Sequence, residues 1–529
     1  MNLLNIRAFI LLILFLLLFD LQFRLNEPNN LSGVDDSSYF LHSETIAKDF
    51  DLDYSNQINF EDLDTNKFYF NPKNESFIPK HPIGVGILSS PFTFLGLLLE
   101  RSNLFKNHES DLVYLIYSLS SIFYFSCSLI LISKIEILLG KKQKENTLFL
   151  FVLLFGSGVG YFAFERFSMT HIYEVFSILL ITYFVLKKLI SNDKLTFLLG
   201  FGWLLPIFIR WTNYFLVLTP FLIYFVLHEK SLIRNRRFKD YFSKQFIFGI
   251  FTVPIIFIIF NYYFYGAFVY FPSQIYYSNF DIVDSLNSMT ARRGYNLDFN
   301  IELVRRLVVD FLKILFSTEF GILYFSPLIF LSVFYCFYYL YKTEFIIFFL
   351  NLLIISLPFI NVLLWKSTAS SYGYRYLYSL IPLGIFYYFL IPMGLKKIVN
   401  IFIIFSFYSL IVFESNELTV LSKKINTFGL EHDYSANYYL NGVLQTFTDI
   451  NTLKVFGTSL IVVLLAKFIT LIDPAALEKL FSSNNLLSSQ YEKFLVYSDG
   501  FNLNILLLIL LFLLMNVALI FKSNNLDSS

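Results

Sequence analysis

Residues 82–99 read PIGVGILSSPFTFLGLLL, and whether this stretch crosses the bilayer decides the sidedness of everything after it. It is apolar, but it is short, bounded by Pro82 and interrupted by Pro91. Other apolar runs are long enough to span about 30 Å of hydrocarbon. They cover 4–23, 111–133, 147–165, 169–190, 195–209, 211–228, 245–265, 319–341, 344–364, 376–394, 397–413, 453–472 and 503–521. The pair around Arg210 reads either as two short helices or as one broken one. If 82–99 lies along the outer interface, Lys134, Lys141, Lys142, Lys144, Lys187, Lys188, Lys194, Lys230, Arg234, Arg236, Arg237, Lys239, Lys396 and Lys397 all fall on one side. The positive-inside rule makes that side cytoplasmic. A crossing at 82–99 would put the whole set outside. The stretch is therefore read as a juxtamembrane helix, with a fold-back hairpin as the alternative.

Composition agrees with this reading. The chain is 56% hydrophobic and 15% charged, the balance of a polytopic all-α membrane protein with about 12–13 transmembrane helices. Its net charge of +1 argues against binding nucleic acid through bulk electrostatics. Cys127 and Cys336 both sit in apolar runs, so no structural disulfide is expected. The first apolar run lacks a small-residue cleavage site and reads as a retained helix rather than a removed signal peptide.

This topology leaves polar segments outside at 24–110, 266–318, 365–375 and 414–452. The first is too long for a mere connector. It opens with GVDDSSYFLHSETIAKDF at 33–50, where Asp35 and Asp36 follow the first span directly. Tyr39, Ser43, Ile46, Ala47 and Phe50 then keep helical spacing. Asp is a favoured N-cap residue, and capping by one acid is compatible with its neighbour facing a cavity. Asp49, Asp51 and Asp53 read as a solvated turn rather than as a metal site.

Four further positions carry chemistry. In Lys80-His81-Pro82 the proline suits position N1 of the juxtamembrane helix. The free N–H groups of that helix end, beside Lys80 and His81, would suit a phosphate; the plainer reading is an interfacial helix with a snorkelling lysine. His171 and Glu174 stand one turn apart at the outer end of the fourth span, with Arg166 just before them. Arg210 lies between two apolar runs, followed by Trp211 and Asn213. A charge there costs about 2.5–3.5 kcal/mol at the centre of a span and less near the interface, so it should face a cavity or a partner. Arg375 sits in SSYGYRYLYSLIP, and arginine suits a phosphate dianion through paired N–H donors. The sequence has no P-loop, no G-x-G-x-x-G and no H-E-x-x-H. No soluble segment is large enough for a nucleotide-binding α/β domain. If the protein is a transferase, its activated donor should arrive through the membrane as a lipid phosphate.

VDDSSYFLHSETIAKDFDLDY resembles the segment after the first span of the GT-C superfamily of integral-membrane glycosyltransferases. It is closest in style to protein mannosyltransferases and lipid A aminoarabinose transferases, which use polyprenyl-phosphate sugars. Asp35 and Asp36 stand at that family's acidic pair and Tyr39 at its aromatic position; Ser37 departs from the usual proline. KHPIGVGILSSPF resembles the basic-residue/Pro opening of the family's juxtamembrane helix. MTHIYEVF at His171, the Arg210 position and YGYRYL at Arg375 resemble looser features. The likeness runs to about residue 395.

The resemblance implies a GT-C-like catalytic region over 1–413, with a C-terminal region of 414–529 carrying an outer loop and about two more spans. It also implies inverting transfer of a sugar from a polyprenyl-phosphate donor to a glycan, lipid or protein acceptor. Asp35 would be the general base, with Asp36 as alternative or helper. Lys80, His81, Arg210 and Arg375 would bind the donor phosphate, with Tyr39, His171 and Glu174 in the pocket. Some relatives use a divalent metal and others do not; no complete ligand set is apparent. The site would face outward from the bacterial cytoplasmic membrane. A polymerase or ligase of lipid-linked glycans is the alternative within carbohydrate chemistry. A lipid-linked-substrate flippase is the alternative outside it.

Overall fold

A computed structural model describes residues 34–57, 68–102, 112–140, 147–164, 167–233, 237–270, 301–318, 321–365, 373–419 and 440–448, together with 274–275, 281, 284, 288, 450, 511–516 and 518. The expected spans at 4–23 and 453–472, most of 503–521, and Arg166 lie outside the described residues.

The outer segment begins with α1 (Val34–Lys48), a hairpin of β1 (Phe68–Asn71) and β2 (Ser76–Pro79), and α2 (Gly84–Glu100). Then come α3 (Leu112–Leu138), α4 (Thr147–Leu154), a π-helical turn (Phe155–Val159) and α5 (Gly160–Phe164). Next are α6 (His171–Ile190), α7 (Phe197–Phe201), α8 (Leu204–Ile209), a 3₁₀ helix (Trp211–Leu218), α9 (Thr219–Glu229), α10 (Phe238–Tyr241) and α11 (Lys244–Tyr265). The remainder is α12 (Ile301–Phe316), α13 (Ile322–Phe325), α14 (Pro327–Tyr341), α15 (Phe345–Trp365), a second 3₁₀ helix (Arg375–Leu380), α16 (Ile381–Leu390), α17 (Met393–Thr419) and α18 (Leu440–Thr448).

The fold is all-α and polytopic. Among the described residues five helical stretches are long and apolar enough to cross a membrane: Leu112–Leu138, Trp211–Glu229, Lys244–Tyr265, Phe345–Leu363 and Met393–Val412. Burial separates their roles. The apolar window of α3 is 83% buried, which makes it the centre of the bundle, whereas that of α11 is only 28% buried. The exposed side of α11 carries Phe248, Phe251, Ile255 and Ile259, the surface expected of a helix against lipid.

Several apolar runs break where the chemistry asks for it. Arg210 takes an extended conformation between α8 and the first 3₁₀ helix, so the doubtful pair is two segments parted at the charge. The run expected at 319–341 is divided at Ser326, where Pro327 opens α14. That at 147–165 passes through the π-helical turn, with Gly158 at φ 96°. α17 continues through residue 413 to Thr419.

α2 has 17 residues, about 25 Å at 1.5 Å per residue, short of the hydrocarbon thickness. Its start corrects one expectation. Pro82 does not occupy N1; Ile83 is the N-cap and the helix begins at Gly84. The helix sits in close quarters on both sides. A Cβ on Gly84 would lie 2.5 Å from the Ile209 backbone nitrogen, and one on Gly86 would collide with His42. Only glycine lets α2 approach the Arg210 segment and α1 this closely.

Candidate polar site at the helix ends

α1 carries Asp35 and Asp36 near the beginning of its described range, Val34–Lys48. One turn on, Tyr39 is buried and meets the His81 ring edge-on at a centroid distance of 5.3 Å. His42, also buried, fastens the same loop. Its Nε2 donates to the His81 carbonyl at 2.8 Å, and its Nδ1 lies 2.6 Å from the Tyr54 hydroxyl. A carbonyl only accepts, so Nε2 bears the proton and Nδ1 accepts from Tyr54. Burial holds His42 neutral, with its pKa lowered to about 4; the His81 backbone bond acts against that shift and the His81 charge adds to it. The helix bearing the acids is thus joined to Lys80-His81-Pro82.

Asp49, Asp51 and Asp53 form turns, as expected. Asp51 accepts from the Asp53 N–H at 3.1 Å and Asp53 from the Ser55 N–H at 3.0 Å. Asn56 and Gln57 side-chain amides both donate to Asp49.

The β-hairpin was not foreseen. It packs Tyr69 and Ile78 against Phe264 and Tyr265 at the end of α11, and Asn71 donates to the Phe264 carbonyl at 3.1 Å. A cleft opens beside Lys80. Lys80, Pro82, Phe208, Trp211, Phe257, Phe260, Phe264 and Tyr265 are among the residues lining that cleft, which holds about 470 Å³ of space, open solvent at its mouth included. Lys80 is the one basic group among the described residues that line it.

The second cluster is built on Arg210. The guanidinium donates through Nη2 to the Thr170 hydroxyl and, at 3.2 Å, to His171 Nδ1. Its Nη1 lies 3.4 Å from Glu174 Oε2. The second carboxylate oxygen, Oε1, accepts from the Asn213 amide at 2.8 Å, and that amide also reaches the Pro206 carbonyl at 2.9 Å. Because arginine can only donate, His171 Nδ1 is the unprotonated nitrogen, and the His171–Glu174 approach of 3.8 Å is not an ion pair. Glu174 is fully buried and His171 nearly so. The break at Arg210 is what makes this geometry available: its extended backbone turns the side chain back onto the first turn of α6.

The same guanidinium lies 5.2 Å from the Tyr376 ring centroid, and Arg375 lies 5.1 Å from the same ring. Arg375 Nη2 also donates to the Tyr376 hydroxyl at 3.2 Å. Tyr378 meets His171 at 5.4 Å. Of the residues singled out from sequence, His171, Glu174, Arg210 and Arg375 therefore share one cluster. Tyr39 and His81 share another contact, and Lys80 lies along the cleft that Trp211 borders. The side chains of Asp35 and Asp36 lie outside the described residues. Thr170, Asn213 and Tyr376 complete the cluster without having been singled out as site residues, though each stands within three residues of one that was.

No protein-family model matches the chain, and no curated protein or solved structure resembles it closely enough to assign a family. The chain is a multi-pass helical membrane protein. Among the described residues no three of His, Cys, Asp and Glu are grouped to hold a metal ion.

Proposed function

We propose that this protein is an inverting glycosyltransferase of the GT-C type, moving a sugar from a polyprenyl-phosphate carrier to an acceptor at the outer rim of the membrane. The observation that carries the reading is the shared anchorage of the acid-bearing and cation-bearing segments. Tyr39 and His42 hold α1 to the His81 loop. Gly84 seats α2 on the backbone of Phe208 and Ile209. Arg210 then leads, through Tyr376, to Arg375.

In the reaction, Asp35 takes the proton of the acceptor hydroxyl or amine, with Asp36 as its alternative. The acceptor atom bonds to the anomeric carbon from the face opposite the phosphate. The bond from that carbon to the phosphate oxygen breaks, and its electron pair leaves with polyprenyl phosphate. Lys80 and Arg375 are the candidate cations for the developing charge. Arg210, whose guanidinium already serves Glu174, Thr170 and His171, holds Tyr376 and so orients Arg375.

The aromatic walls of the Lys80 cleft suit the isoprenoid part of a lipid phosphate. Binding of a polyprenyl phosphate to the full chain in nanodiscs, read by native mass spectrometry, tests the cation assignment. Lys80→Met and Arg375→Met should each weaken binding roughly ten- to hundredfold, the value of a hydrogen bond to a charged group. Unchanged affinity in both would contradict the assignment.

A further inference from the structure

Buried serines in the helices of this protein turn their hydroxyls back onto the preceding turn. Ser126 and Ser128 donate to carbonyls four residues earlier at 3.0 and 2.7 Å. Ser118 does so three residues earlier at 2.6 Å, and Ser177 of α6 does so at 2.9 Å. This is the ordinary way to satisfy a hydroxyl within a helix.

Three of the hydroxyls that depart from the pattern meet at one place. Thr182 in α6, Thr219 at the start of α9 and Ser379 in the second 3₁₀ helix are 2%, 4% and 0% exposed. None of the three has a hydrogen-bond partner among the described residues. All three line the same small cavity, whose remaining walls are Ile178, Leu216, Ile223, Pro382, Leu383 and Phe386. Leaving one hydroxyl unsatisfied costs about 1–3 kcal/mol on protein mutational scales, and three in one apolar pocket compound that cost. The space in which a water-sized sphere can centre itself is about 10 Å³, which is close to the minimum for one water molecule. A buried water typically makes about three hydrogen bonds, and three hydroxyls face this cavity. The described residues that line it carry no charged side chain, which suits a neutral ligand.

We propose that this cavity is a hydration site, in which one structural water bridges Thr182, Thr219 and Ser379. Its position gives it a task. The three segments it joins are those that present the polar cluster: α6 carries His171 and Glu174, the segment entering α9 carries Arg210 and Asn213, and the turn entering α16 carries Arg375, Tyr376 and Tyr378. Thr182 lies eight residues beyond Glu174, about 12 Å along the helix at 1.5 Å per residue. The water therefore ties the three segments beneath the cluster and holds their ends in register. This inference stands whatever reaction the protein performs.

The test is a cryo-EM structure of the full chain in nanodiscs at a resolution that shows ordered water. The expected result is one density peak within hydrogen-bond distance of all three hydroxyl oxygens. Hydroxyls rotated onto backbone carbonyls with no peak between them would overturn the proposal, as would a peak with the short, many-oxygen shell of a cation. Thermal unfolding supplies a second readout. Thr182→Val, Thr219→Val and Ser379→Ala should each lower the midpoint, because each leaves the water short of one partner. The triple variant should lower it by less than the sum, because no polar group then remains to be satisfied. Strict additivity would contradict a shared water, and so would a midpoint in the native chain that rises when sodium replaces potassium.

Discussion

Arg210 and Arg375, far apart in sequence, hold their guanidinium groups over one phenol ring, that of Tyr376, at 5.2 and 5.1 Å. Two cations placed so close repel unless something negative lies between or beside them. The ring face supplies part of that, through its quadrupole. Glu174 supplies the rest on the Arg210 side. The arrangement explains why a tyrosine stands directly after Arg375.

Tyr376→Phe keeps the ring and removes the hydroxyl that Arg375 addresses. It should be close to neutral in thermal unfolding. Tyr376→Leu removes the shared face and should cost about 0.5–2 kcal/mol for each desolvated cation. Equal midpoints for the two variants would mean that the ring face contributes nothing.

Glu174→Gln leaves the Arg210 guanidinium buried without its counter-charge. Removing one partner of such a pair costs about 3–5 kcal/mol. The double variant Glu174→Gln/Arg210→Met removes the stranded charge as well and should recover much of that loss. A double-mutant cycle on the unfolding midpoints measures the coupling. Additive losses would show that the two groups do not depend on each other.

His42 predicts a pH dependence. Its pKa is lowered from 6.5 to about 4 in the folded protein, chiefly by burial. Between those values the unfolded chain binds a proton that the folded chain refuses. Its contribution is therefore complete above about pH 6.5 and is lost as pH falls toward 4, by about 3 kcal/mol in all. Melting curves between pH 7 and pH 4 should fall steadily in the native chain, and that slope should flatten in His42→Asn. An unchanged slope in the variant would assign the effect to another group.

Gly84→Ala places a methyl group 2.5 Å from the Ile209 nitrogen, and neither backbone can yield alone. Overpacking of this kind costs about 1–3 kcal/mol. It would also part the Lys80 loop from the Arg210 segment. The variant should lower both the melting midpoint and the affinity for polyprenyl phosphate, whereas Gly394→Ala, in open space, should change neither.

Much of the architecture was legible in the sequence because lipid imposes a simple rule: long apolar runs become helices. The helix bearing Asp35 and Asp36, the helix over 84–100 and the break at Arg210 all follow from spacing, proline and a stranded charge. The β-hairpin over 68–79 did not, because its stability comes from aromatic packing on the end of α11, nearly 190 residues away. Pro82 was placed two positions too far into its helix: the helix starts at Gly84, where the chain closely approaches the Phe208–Ile209 backbone. The pairing of Glu174 with Arg210 and Asn213 joins residues 36 and 39 positions apart, which no local periodicity reports. The hydroxyls of Thr182, Thr219 and Ser379 are unremarkable in sequence. They become informative only when three helices bring them to one cavity.

The most direct test of the proposed chemistry is a transfer assay on the full chain in nanodiscs, with a panel of polyprenyl-phosphate sugars and mass-spectrometric detection of product. The native chain should transfer a single sugar with inversion at the anomeric carbon. Asp35→Asn should insert and melt normally yet lose about 10²- to 10⁴-fold in rate, the usual worth of a general base. Transfer undiminished in both Asp35→Asn and Asp36→Asn would contradict the account.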